Sequence, residues 1–429
     1  MARNLLLIVA AALAGLAMWF WVQRVAIPHQ QAEATERGTP RGNLSDLYPR
    51  WLGARELLLH GRDPYSPELA REAQAGYYGR VLDPKRPNDP KDQQAFAYPL
   101  YVIFVLAPTV RMNFSDAQRI AVWLLLLITA ASVPLWLRAL DCRISPATKL
   151  AAVLLVLGSF PAIQGIKLQQ LTLLVAGLLA AAFGALASGY LILAGALFAL
   201  ASIKPQLVAL TAVWICFWAL GSWRERRKLI FSFVASMLLL AGAGELLLPG
   251  WIGEFRHAMA EYWVYTGGGR SVLDVLLTSY FGRAVAAVLI LMALFRIWRA
   301  RQAPVFTPEF SWSLAFVMAT TLAVIPMFAP YNQLLLVPAL ALIARSARRL
   351  WRIGPASRFC LALVVGSVLW PWLAAGALVA CLIFFPAVTV QRAWVLPLFT
   401  NFWIPVSVLV LLLIGRRTLC CKAEGALSD

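Results

Sequence analysis

Apolar runs long enough to cross a lipid bilayer recur from one end of this chain to the other, and the loops between them are short and basic. A hydrocarbon core about 30 Å thick asks for roughly 20 predominantly apolar residues per helix. A sequence built this way reads as an all-α polytopic membrane protein. Hydrophobic residues make up 61% of the 429, and the mean hydropathy is +0.73, more than a soluble core requires. The formal net charge of +18 does not point to nucleic acid as a partner. Its Lys and Arg residues gather in the loops between apolar runs, where they set topology.

Arg3 precedes the first run, residues 5–27, and places the N-terminus in the cytoplasm. No small-residue cleavage pattern follows, so the run is expected to stay as a span. Basic clusters at 138–149, 224–228, 296–301, 345–358 and 416–417 place further loops inside. Counting the runs between them predicts about twelve spans in a single domain, residues 1–429, with both termini cytoplasmic and the protein in the cell's inner (plasma) membrane. Two polar segments then lie outside, residues 28–117 and 249–271. The first includes an interfacial stretch at 96–112, bounded by Pro99 and Pro108, and an irregular part at 83–92. The six cysteines have no metal-ligand spacing and none lies at 28–95, so neither a metal site nor a disulfide framework is expected. His257 has no metal-like companions, and 267–269, three glycines, lack the strand–turn–helix setting of a phosphate loop.

The most informative stretch runs over 43–67. Pro49 suits a first helical turn and Gly61 suits the position just past a last one. Trp51, Ala54 and Leu58, with Leu57 beside them, form one apolar stripe, which predicts an amphipathic helix along a membrane surface. Asp46 stands just before it. There a carboxylate has two readings: a cap for the free N–H groups of the helix, or a general base. Under the predicted topology Asp46, Tyr98, residues 164–170, Lys204, the 249–270 loop and Asn332 all meet the outer leaflet. A lysine beside apolar helices is costly without a partner, so Lys204 is either a phosphate ligand or a side chain snorkelling to water. Lys167 has the same two readings in a more open loop. The Tyr and Trp residues of 261–265 are interface anchors or ligands.

Several motifs in order resemble glycosyltransferase family 87, membrane enzymes of the GT-C type. They are Ser45-Asp46 in a long loop after the first helix, Gly61-Arg62-Asp63-Pro64-Tyr65, then Phe96, Tyr98 and Pro99. Lys204-Pro205-Gln206 opens a later helix, and a polar turn follows at Tyr331-Asn332-Gln333. The resemblance implies a GT-C helix bundle that moves a hexose or pentose, mannose-like above all, from a polyprenyl-phosphate sugar to a lipid or glycan acceptor outside the cytoplasm. It implies Asp46 as the base and Lys204 at the donor phosphate, where Lys167 or Arg270 is expected to help. Tyr48, Arg50, Tyr98, Gln170, Gln206 and Asn332 are the remaining candidates for holding substrate. The donor is a substrate, and no cofactor is implied. The competing classes are a secondary transporter and a non-catalytic envelope-assembly subunit. A transporter is expected to hold ionisable residues near mid-membrane in two related halves. Here the acids sit almost entirely in loops and no second half repeats the first.

Overall fold

The computed structural model describes residues 2–43 and 45–420, and those residues form helices, turns and loops with no strand. A recurring local signal starts the helices: a Ser or Thr whose side chain accepts from a backbone N–H three residues on, with Pro in the first turn. Ser66, Ser145, Ser159 and Thr307 all act this way, opening Pro67–Tyr78, Pro146–Leu157, Phe160–Lys167 and Pro308–Val324. The hydroxyl satisfies an N–H that has no partner inside the helix, and proline has none to satisfy.

Among the described residues six helices are long and apolar enough to cross a membrane: Ala2–Glu36, Phe114–Ala139, Trp223–Leu247, Val272–Ala300, Pro355–Phe384 and Ala387–Ile414. A seventh span arises if Pro146–Leu157 and Phe160–Lys167, bent by 54° at Gly158-Ser159, are taken together. The protein is therefore multi-pass, but the expected count of twelve does not follow from its helix lengths. Leu171–Ala187, Leu191–Ala201 and Pro205–Gly221 have 17, 11 and 17 residues, below the roughly 20 typical of a spanning helix. Hydropathy counts such runs as spans because a helix buried in protein is as apolar as one in lipid. Pro308–Val324 is the extreme case: every residue from Phe310 to Ala323 is buried, at the centre of the bundle. Leu171–Ala187, buried along most of its length, packs between Phe114–Ala139 and Leu191–Ala201. Leu191–Ala201 in turn lies on Trp223–Leu247. Gly195 permits that approach, since a Cβ there would come within 2.5 Å of the Leu229 carbonyl.

The segment after the first helix folds over one end of this bundle. Its first helix is Tyr48–His60, and Gly61 ends it in the left-handed conformation (φ +68°) that glycine adopts without strain. Trp51, Ala54 and Leu57 are buried as the stripe predicts, and Leu58 is half-buried. The stripe meets protein rather than lipid. The helix packs on Pro67–Tyr78 and Val102–Leu106, and the Trp51 indole donates to the Thr109 carbonyl at 3.2 Å. The 96–112 stretch forms only Val102–Leu106 and one 3₁₀ turn, Ala107–Thr109, too short to cross a membrane. Residues 83–92 are irregular, held by the ion pair of Arg80 with Asp89 and by the Tyr78 hydroxyl on the Asp92 carboxylate at 2.6 Å. In the 249–271 segment, Trp251–Tyr265 forms a further helix that begins at a left-handed Gly250.

Candidate functional site

Asp46 does not cap the helix it precedes. The N-terminal boundary falls on Leu47, and no side chain caps it. The carboxylate is turned the other way: its Oδ2 accepts from the side-chain amide of Gln170. Backbone geometry brings the two together. The Asp46 N–H donates to the Leu168 carbonyl at 2.9 Å, docking the loop on the turn before Leu171–Ala187. Gln169 makes that turn in the left-handed region (φ +48°), with its own amide on the Ile166 carbonyl at 2.9 Å and its Oε1 accepting from Gln118 at 3.0 Å.

The other end of the Gln170 amide meets Lys204. The ammonium donates to Gln170 Oε1 and to Thr172 Oγ1, both at 2.7 Å, and Thr172 donates on to Asn332 Oδ1 at 3.2 Å. Lys204 lies in the break between Leu191–Ala201 and Pro205–Gly221, where Pro205 starts the second helix, and it is only 7% exposed. A snorkelling lysine would reach water. This one is buried among neutral acceptors, so its charge is available to an anion.

These groups face a cavity of about 240 Å³ lined by Arg50, Tyr98, Gln170, Lys204, Tyr331 and Asn332, with Gln206 and the Pro326–Ala329 turn beyond them. The Trp251–Tyr265 helix closes one side with Phe255, Met259, Tyr262 and Trp263. The wall contains two cations and no carboxylate. Tyr98 stands between the cations: the Arg50 guanidinium is 4.9 Å from its ring centre and the Lys204 ammonium 5.6 Å, while Lys204 is also 5.5 Å from the Tyr331 ring. Burial pushes the Tyr98 hydroxyl up to about 12, so it stays a neutral phenol. Arg50 also donates to the Asp46 carbonyl at 2.6 Å. Asp46 is thus one residue behind the wall, half-buried, and joined to it through Arg50 and Gln170.

Of the candidates from sequence, Asp46, Arg50, Tyr98, Gln170, Lys204, Gln206 and Asn332 are brought together. Three are not. Lys167 is turned toward the first helix, 5.9 Å from the Trp19 ring. Arg270 is exposed, and only its carbonyl approaches the site, accepting from the Met327 N–H at 3.1 Å. Tyr48 packs edge-on to Phe114 with ring centres 4.8 Å apart and does not line the cavity. Sequence reading overlooked Thr172, a hydroxyl in an apolar helix. Its one signal is its place two residues after Gln170, where the chain enters that helix.

The model of glycosyltransferase family 87 matches residues 96–326, more than half of the chain. No curated protein and no solved structure matches it. The matched region holds Tyr98, Gln170, Thr172, Lys204 and Gln206, while Asp46 and Arg50 precede it and Tyr331 and Asn332 follow it. A helical bundle that surrounds a cationic cavity at the ends of its apolar helices, and that matches this family over its central half, leaves one conclusion: the chain belongs to glycosyltransferase family 87 and is a membrane glycosyltransferase.

Proposed function

We propose that the protein transfers one sugar, mannose-like, from a polyprenyl-phosphate donor to a lipid or glycan hydroxyl on the extracytoplasmic side of the cell's inner membrane. The observation that carries this reading is the charge arrangement at the cavity: Lys204 and Arg50 in the wall, no carboxylate among the lining residues, and Asp46 immediately behind it. Such a wall favours a phosphorylated ligand over a neutral or cationic one.

Each group then has a role. The donor phosphate sits against Lys204 and Arg50, with the sugar against the faces of Tyr98 and Tyr331. Asp46, half-buried behind the wall, takes the proton of the acceptor hydroxyl. The oxygen attacks the anomeric carbon, forming the new C–O bond as the bond from that carbon to the phosphate oxygen breaks. The electron pair leaves with polyprenyl phosphate, whose growing negative charge the two cations stabilise. Gln170 keeps base and cation in register by donating to one and accepting from the other. Arg50 takes the helper role that the sequence reading gave to Lys167 or Arg270.

The test is a transfer assay with purified protein in detergent, a radiolabelled polyprenyl-phosphate hexose and an extract of membrane lipids. Label should move to a new lipid or glycan product, with polyprenyl phosphate released in equal amount. Transfer from a nucleotide sugar but from no polyprenyl-phosphate sugar would remove the donor assignment.

A further inference from the structure

A second cavity, larger than the one just described, lies elsewhere in the bundle. About 540 Å³ of space lies between Phe114–Ala139, Pro146–Leu157, Val337–Ile353 and Pro355–Phe384. Its walls are apolar, among them Val133, Leu155, Val156, Leu340 and Val368, and its polar groups lie at the two ends. One end has Gln333, whose amide donates to the Asn401 carbonyl at 3.0 Å. The other has Thr148, Cys142 and Arg345, beside the basic ends of the helices. From Thr148 to Val156 the groove follows eight helical rises, about 12 Å at 1.5 Å each. That is close to half of a bilayer's hydrocarbon core, roughly 30 Å thick, and so to one leaflet.

We infer that this groove binds one anionic glycerophospholipid, with an acyl chain along the apolar walls and the phosphate at Arg345. The lipid belongs to the leaflet that meets the basic clusters. Charge decides for an anionic headgroup. Arg345 is exposed, and its guanidinium rests on two neutral acceptors, the Leu140 carbonyl at 2.5 Å and the Cys142 sulfur at 3.5 Å. Among the described residues its charge is therefore not spent on a carboxylate. Lys149 and Arg348 are exposed in the neighbouring turns and add to the positive field, while Asp141 is held by Arg143 at 3.6 Å. The groove is separate from the donor cavity, but the two share a wall. The 3₁₀ segment Pro330–Leu336 gives Tyr331 and Asn332 to one, and Gln333, Leu334 and Leu336 to the other. A seated lipid chain thus supports the segment that carries Asn332.

Native mass spectrometry of the intact protein, released from micelles containing equal phosphatidylglycerol and phosphatidylcholine, tests the assignment. One phosphatidylglycerol should be retained, with a preference of about fivefold, the size expected for one cation at a membrane surface. A photoactivatable phosphatidylglycerol with its reactive group in the acyl chain should label Leu155, Leu340 or Val368. Arg345→Gln, which can still donate to the Leu140 carbonyl, should abolish the preference. Ala341→Phe, which fills the groove, should remove the bound lipid. Equal retention of the two lipids by the wild-type chain, or labelling confined to other surfaces, would overturn the proposal, and both measurements hold even if a variant fails to fold. Displacement of phosphatidylglycerol by an equimolar polyprenyl phosphate would overturn it as well, by assigning the groove to a different lipid.

Discussion

The Gln170 side chain is held at both ends, its oxygen 2.7 Å from the Lys204 ammonium and its amide nitrogen on the Asp46 carboxylate. A neutral group between a cation and an anion keeps them apart while fixing both, which a direct ion pair would not do. Gln170→Glu should collapse the arrangement by pairing with Lys204 and repelling Asp46, so the donor KM should rise and kcat should fall together. Gln170→Leu leaves a buried ammonium short of an acceptor, at a cost of about 1–3 kcal/mol. It should lower the thermal midpoint as well as turnover. Wild-type kinetics in Gln170→Glu would refute the bridging role.

Because Asp46 does not cap the Tyr48–His60 helix, its removal should separate folding from chemistry. Asp46→Asn and Asp46→Ala should both melt close to wild type, and both should lose about a hundredfold to ten-thousandfold in turnover. The comparison needs purified protein, with turnover normalised to the folded fraction. Substantial transfer by either variant would mean that the base lies elsewhere.

Lys204→Ala should cost about a hundredfold or more in kcat, the scale of losing one preorganised group at developing negative charge. Lys204→Arg should recover part of it, since the charge remains while the point-like ammonium is replaced by a wider fork. Equal activity of the alanine variant and wild type across donor concentrations would show that the lysine has no part in donor binding.

Lys167 and Arg270 offer the opposite expectation. Neither side chain lines the cavity, so Lys167→Ala and Arg270→Ala should each change kcat/KM by less than about threefold, the range of ordinary surface substitutions. A loss as large as that of Lys204→Ala would require a different donor pose.

The orientation can be checked by labelling. In a cysteine-free background, Arg352→Cys, on an exposed turn of a basic cluster, should react with an impermeant maleimide only after the membrane is opened. Glu68→Cys, exposed in the segment after the first helix, should react in intact cells. The reverse pattern would place the Asp46 site on the cytoplasmic side.

Sequence by itself determined the features governed by neighbouring residues. Apolar runs gave a helical membrane protein, Pro49 and Gly61 bounded a helix that spans Tyr48–His60, and the proline-rich 83–92 stretch forms no helix. It also named many of the residues that come together at the candidate cavity, because the motifs around Asp46, Tyr98 and Lys204 stand in an order that resembles one family. Tertiary structure decided the rest. Lys167 and Lys204 look alike locally, a cation beside an apolar helix, and only packing turns one toward Trp19 and buries the other against Gln170 and Thr172. Asp46 likewise had two readings until a partner 124 residues away took its carboxylate from the helix end. The number of spans was undecidable for a related reason. Hydropathy measures removal from water, and Pro308–Val324 is removed from it by protein as fully as a spanning helix is by lipid. Which surroundings an apolar helix has, and which of two similar charges lines the cavity, are properties of the packed chain, because they depend on residues that only folding brings near.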